Sequence, residues 1–99
     1  MDAVFSALAD PTRRKILRRL TDGRSRPTGL AAPFDASLQA ISKHLRVLEA
    51  AGLVARKREG RTNHVELKTA GFGEAAKWLD MMERFWQRKL DALAERLEH

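Results

Sequence analysis

The sequence predicts a mainly α-helical domain carrying one small β-hairpin, on three observations. Helix starts are marked at Asp10-Pro11-Thr12 and at Ser37, apolar residues recur at three- and four-residue spacing in the segments that follow, and a two-residue alternation surrounds Gly60. The chain is 99 residues long, which suits one domain and one core spanning residues 1–99.

Val4, Phe5 and Leu8 mark a short first helix. The second starts at Asp10, whose carboxylate can accept first-turn amide protons, with Pro11 at a position where a missing N–H costs nothing. Ile16, Leu17 and Leu20 form its apolar stripe, Arg13, Arg14, Arg18 and Arg19 lie around the rest, and Asp22-Gly23 ends it. Pro27-Thr28 opens a short third helix carrying Leu30 and Ala31, which Pro33 cuts or kinks near Phe34. Asp35-Ala36-Ser37 makes a tight connection, with Ser37 as cap of the fourth helix.

That fourth helix places Leu38, Ile41, Leu45 and Leu48 within one arc of about 80°, and Gly52 supplies a left-handed stop after Ala51. Leu53-Val54-Ala55 and Arg56-Lys57-Arg58 then form one limb of a hairpin, Glu59-Gly60-Arg61-Thr62 turns the chain, and Val65 and Leu67 alternate with polar neighbours on the return. A long last helix runs from about residue 72 to 96 or 97, with Ala75, Leu79, Met82, Trp86, Leu90, Leu93 and Leu97 spaced 4, 3, 4, 4, 3 and 4. Helices, a turn, another helix and a two-stranded ribbon make the winged helix-turn-helix plan, with the last helix left over.

Charge points the same way. Nineteen Lys and Arg against 13 Asp and Glu leave +6, an excess that attracts polyanions. Residues 1–36 carry +3, residues 37–68 carry +4 and residues 69–99 carry −1, a spread unlike the terminal basic face of a membrane-surface helix. There is no cysteine, which excludes disulfides, thiolate zinc sites, iron–sulfur clusters and thiol switches. No signal peptide or apolar window approaching the ~20 residues of a membrane span is visible, so the expected location is the cytoplasm, without a membrane partner. Leu97-Glu98-His99 reads equally as native sequence or as the remnant of a purification tag.

Opposite the apolar arc, the fourth helix turns out Gln39, Ala40, Lys43 and Arg46, flanked by Ser42 and His44, with Ser37 at its leading end. One face packed and the other offering small, hydrogen-bonding side chains is what base-edge reading requires, although taken alone the same residues also suit simple solvation. Gln39 can bond an adenine edge, and the Ala40 methyl can meet a thymine methyl. His44 borders the core arc and suits either a helix–helix boundary or a DNA contact. In the hairpin, Arg56, Lys57, Arg58 and Arg61, with Thr62 beside them, are opposed in sequence by Glu59 alone. Such a wing can reach phosphates or a minor groove, or can simply protect a sheet edge with charge.

Two segments, Ala7-Leu8-Ala9-Asp10-Pro11-Thr12-Arg13-Arg14-Lys15-Ile16-Leu17 and SLQAISKHLRVLEAAGLVARKREGR, closely resemble the ArsR family of bacterial dimeric winged-helix repressors. The likeness is strong over residues 2 to about 68. It implies a homodimer whose paired recognition helices enter successive major grooves of an imperfect palindrome, with Ser37, Gln39, Ser42, Lys43 and His44 on the family's contact positions. The rivals are a non-specific nucleic-acid binder, which needs charge but no base-reading face, and a winged-helix protein–protein module, which has no use for the retained cations.

Aromatic and Met residues at helical spacing are more often core or interface than ligand pocket. Val4, Phe5 and Leu8 with Trp78, Leu79, Met82, Phe85, Trp86, Leu90 and Leu93 are therefore expected to form a two-fold dimer contact, from helices at about residues 2–9 and 72–97. The family's metal switches use Cys in the third helix or His and carboxylates in the last. Residues 27–34 hold no Cys, and the last helix has no His before His99, so neither metal nor cofactor is expected and the effector is left open. No enzyme chemistry stands out. Ser37, Ser42 and His44 lack a third catalytic partner, and Gly71 and Gly73 bracket a loop after no parallel strand.

Overall fold

The computed structural model describes residues 1–34 and 36–98, so Asp35 of the predicted connection and His99 lie outside the described residues. Among the described residues, five helices and one hairpin follow in the order α1 (Asp2–Leu8), α2 (Pro11–Leu20), α3 (Pro27–Ala31), α4 (Leu38–Ala50), β1 (Val54–Glu59), β2 (Thr62–Leu67) and α5 (Ala70–Glu98), with a 3-10 turn over Ala32–Phe34 after α3. This is the winged helix-turn-helix expected from the order of elements.

The caps work as their chemistry dictates. Asp10 Oδ1 accepts the Arg13 amide at 3.0 Å, which opens α2, and Ser37 Oγ accepts the Ala40 amide at 3.1 Å, which opens α4. The amide hydrogen bond holds the Asp10 carboxyl below its usual value, because it favours the charged form. Pro27 starts α3, and the Pro33 segment tightens into the 3-10 turn. The hairpin is antiparallel, with Arg56 facing Val65, Lys57 facing His64 and Arg58 facing Asn63 around a two-residue Gly60-Arg61 turn. Arg56 and Arg58 thus share one face of the ribbon and Lys57 takes the other.

Ile16, Leu17 and Leu20 of α2, Leu30 of α3, Ile41, Leu45 and Leu48 of α4, and Leu53, Val54 and Val65 of the hairpin close one core. Val4 and Ala7 of α1 complete it at the start of the chain, and Ala75 of α5 at the other end. The hairpin is tied to this core by a bridge absent from any local pattern: Ser25 and Val65 exchange backbone hydrogen bonds of 2.9 and 2.7 Å, giving β2 a second neighbour.

Two expectations change. Leu38 is not part of the buried stripe; it is 48% exposed. Helical side chains lean toward the N-terminus, so at the first residue of α4 Leu38 reaches past the end of the packed layer, whereas Ile41, one turn on, is covered. α5 also begins at Ala70 rather than near Phe72, taking Gly71 and Gly73 into its first turns instead of a loop. The cause is a close approach: a Cβ at Gly71 would lie 2.8 Å from the carbonyl oxygens of both Ala51 and Gly52. Only glycine lets the start of α5 seat against the left-handed Gly52 turn, where φ is +76°, and that contact outweighs its poor helix propensity.

α5 sets the shape. Its 29 residues extend about 43 Å at 1.5 Å per residue, and the molecule measures 67 × 26 × 23 Å with a radius of gyration of 18.2 Å. A compact chain of this length would have a radius near 13 Å. The excess is the far part of α5 standing clear of the core.

Candidate nucleic-acid interface

Ser37, Gln39, Ala40, Lys43 and Arg46 are exposed on α4 and Ser42 is half-buried; together with Leu38 they line one open recess of about 550 Å³. Six of the seven residues expected to read DNA from this helix therefore share one surface. They do so because Ile41, Leu45 and Leu48 are fully buried on the other side of the helix.

His44 is the exception. It is half-buried and its Nδ1 faces Nη1 of Arg13 at 3.4 Å. A guanidinium only donates, so in this contact the ring nitrogen is the acceptor. Arg13 meanwhile donates from Nε to the Ala7 carbonyl at 2.8 Å and from Nη2 to the Ser6 carbonyl at 3.1 Å, while Arg14 Nη1 donates to the Leu8 carbonyl at 2.8 Å. These two arginines close the C-terminal end of α1. His44 thus sits at the α2–α4 boundary, outside the recess.

The wing is partly neutralised by its own protein. Glu59 is not the sole counter-charge to the four cations: it accepts from Arg24 at 2.6 Å, while Arg56 pairs with Glu49 of α4 and Lys57 pairs with Glu66 at 2.7 Å. The hydrogen bond to Glu66 raises the Lys57 ammonium above its usual range, and the one from Arg24 lowers the Glu59 carboxyl. Arg58 donates from Nε to the Gly60 carbonyl at 3.2 Å, bracing the turn, and Arg61 is in no ion pair among the described residues. Exposed pairs of this kind are weak and can reopen toward a phosphate.

Arg61, Thr62 and Asn63 of the wing come together with Arg26, Pro27, Thr28 and Leu38 around a second recess of about 270 Å³. The leading end of α4, the start of α3 and the tip of the wing thus form one continuous surface with Leu38 common to both recesses. Arg26, Thr28, Asn63 and Leu38 are absent from the DNA-contact residues expected from sequence. Their position depends on the Ser25–Val65 bridge, a contact across 40 residues that leaves no local signal.

The last helix presents a different surface. Trp78, Leu79, Phe85, Trp86, Leu90 and Leu93 are all exposed and Met82 is half-buried. Half-buried Phe5 of α1 meets Trp78 edge-on, with ring centroids 5.6 Å apart and planes at 67°. Phe85 and Trp86 also meet edge-on at 5.6 Å, and Lys89 Nζ lies 5.5 Å from the Phe85 centroid. Val4 does not join this surface: it is 5% exposed and packs into its own protomer's core, because α1 turns that side chain inward and offers Phe5 and Leu8 at the edge. Asp80 pairs with Arg84 at 3.2 Å, one helical turn away. Among the described residues, no three His, Asp or Glu side chains gather as a metal site, and no helix is long and apolar enough to cross a membrane.

Comparison with known proteins gives concordant likenesses. A family described as a helix-turn-helix domain matches residues 8–57. The transcriptional repressor SdpR of Bacillus subtilis is 35% identical over 79 residues, covering 80% of this chain and 88% of that protein. An ArsR-like transcriptional regulator from Rhodococcus sp. RHA1 superposes with a TM-score of 0.83 at 35% identity, over 98% of this chain and 89% of that one. A homodimeric winged helix-turn-helix DNA-binding domain from Mycobacterium bovis superposes with a TM-score of 0.65 at 25% identity, over 90% and 80% of the two chains.

Proposed function

The chain belongs to the ArsR family of winged helix-turn-helix transcriptional regulators, and from that premise we propose that it represses transcription as a homodimer on an imperfectly palindromic operator. The observation that carries this reading is the continuous surface from the polar face of α4 to the wing tip, basic at Lys43, Arg46, Arg26 and Arg61.

Two such surfaces related by a two-fold axis would enter major grooves about one helical turn, ~34 Å, apart. Ser37, Gln39, Ala40 and Ser42 are assigned to base edges and nearby phosphates, and Lys43 and Arg46 to phosphates. From the wing, Arg58, Arg61 and Thr62 are assigned to the backbone or minor groove, with Arg56 and Lys57 joining if Glu49 and Glu66 release them. The exposed apolar stripe of α5, with Phe5 and Leu8 of α1, is assigned to the subunit contact. Counted from Ala75, which is buried where the helix meets the core, to Leu97, the spacing of 4, 3, 4, 4, 3 and 4 is two 11-residue repeats, which keep one face of a nearly straight helix aligned. The homodimeric Mycobacterium bovis domain supports the same assembly.

Selecting bound sequences from a random duplex pool tests this directly. The expected result is an enriched palindrome; enrichment of none, or of an undivided single site, contradicts it. On that site Gln39→Ala is expected to cost ~1–3 kcal/mol and relax one position per half-site. Arg58→Ala is expected to weaken all sequences alike and reduce the salt slope by about 1. Equal effects of both substitutions on selected and random DNA would refute base reading by α4.

A further inference from the structure

Leu38 is a large apolar side chain left half-exposed among the polar and basic residues of the candidate interface. Isolated exposed apolar residues are ordinary; its surroundings set this one apart. Leu38 is the first residue of α4, directly after the Ser37 cap, and it walls both recesses of the candidate interface, between Gln39 and Lys43 on one side and Arg26 and Arg61 on the other. The end of a recognition helix that carries it enters the major groove first. In that groove one base alone presents an apolar group, the C5-methyl of thymine.

We infer that Leu38 is a specificity-determining residue that packs on a thymine methyl at one position of each half-site, selecting thymine over cytosine there. The basic side chains around it complement the phosphates on either side of the groove, and they bring an apolar tip to the base edges that it would not reach by its own affinity for water-exposed DNA. Gln39 and Ser42 supply polar readout, and Leu38 adds an apolar reading that hydrogen-bonding side chains do not make. This assignment rests on the DNA-binding reading above and goes further by naming the residue and the chemical group it recognises.

The test needs no disruptive variant. In the selected operator each thymine is replaced in turn by deoxyuridine, which removes only the C5-methyl, and affinity of the full chain is measured by fluorescence anisotropy at fixed salt. One position per half-site should lose about fourfold, the value of one buried methyl group. Leu38→Ala should bind the thymine operator more weakly and be indifferent to deoxyuridine at that position, while remaining sensitive to deoxyuridine wherever another side chain meets a methyl. Leu38→Ser serves as a second variant, and thermal melting of each checks that the fold is kept. Absence of any deoxyuridine-sensitive position, or sensitivity undiminished in both Leu38 variants, would overturn the assignment alone. A pool that yields no preferred sequence would overturn it together with the reading on which it rests.

Discussion

Helices α4 and α5 both space large apolar residues at three and four positions. Yet Ile41, Leu45 and Leu48 of α4 are fully buried within the protomer, while Trp86 and Leu90 of α5 are 58% and 57% exposed. The two helices differ in their neighbours. α4 is packed among α1, α2, α3 and β1, whereas α5 touches α1 and the Gly52 turn and then leaves the core. Apolar periodicity therefore reports that a face is to be buried, without saying which chain buries it. From Leu79 to Leu97 the unpartnered stripe extends about 27 Å, and it is this length of apolar face with aromatic anchors that motivates its proposed role as the subunit contact.

The contrast can be broken first on the α4 side. Leu45→Ala should cost about 2–5 kcal/mol by leaving a cavity in a closed core, seen as loss of the cooperative urea transition or a large fall in its midpoint at every protein concentration. Trp86→Ala in α5 should act differently, raising the dimer dissociation constant by the equivalent of about 2–4 kcal/mol as a buried aromatic anchor does. Its expected signature is a melting temperature that no longer rises with protein concentration, as it does for the wild type if subunit association contributes to its stability. If Trp86→Ala destabilised the protein equally at all concentrations, the division into a closed head and an open tail would be wrong.

A smaller effect is expected at the start of α2, where Asp10→Ala should cost ~1 kcal/mol through loss of the cap. Its pH dependence is defined by the sign of the shift. The folded-state carboxyl sits below its usual 3.8, so the contribution is complete above that value and is lost as pH falls through the lowered one. The stability difference between wild type and variant should thus be constant from pH 5 to 7 and shrink in acid, as urea titrations across that range would reveal.

Features acting within a few residues were legible in the sequence. Asp10 and Ser37 as caps, Pro27 as a helix start, Gly52 as a stop and Gly60 in the turn each depend on local backbone geometry, and the order of elements follows from them. Misreadings arose where distant parts meet or where a helix ends. Leu38 was assigned to the core because periodicity treats a helix as endless; at a first turn the packed layer stops before the helix does. Val4 was assigned to the dimer because the turn of α1 toward its own core is set by α2 and α4, which the sequence of α1 does not contain. Arg13 and Arg14 stand in the sequence only as residues off the apolar stripe, and only the folded chain brings the α1 carbonyls to them. Gly71 looked like a loop until the Gly52 turn was found against it. Of the candidate site, the polar face of α4 was readable, whereas the joining of wing tip and α3 start depended on the distant Ser25–Val65 bridge.

Sedimentation equilibrium at micromolar concentration tests the central claim most directly, comparing the wild-type chain with a Trp86→Glu, Leu90→Glu double variant. The account predicts a wild-type mass twice the 11.2 kDa of one chain, and a single-chain mass for the variant with its helical circular dichroism largely retained. A wild-type protein that sediments as one chain under those conditions would contradict it.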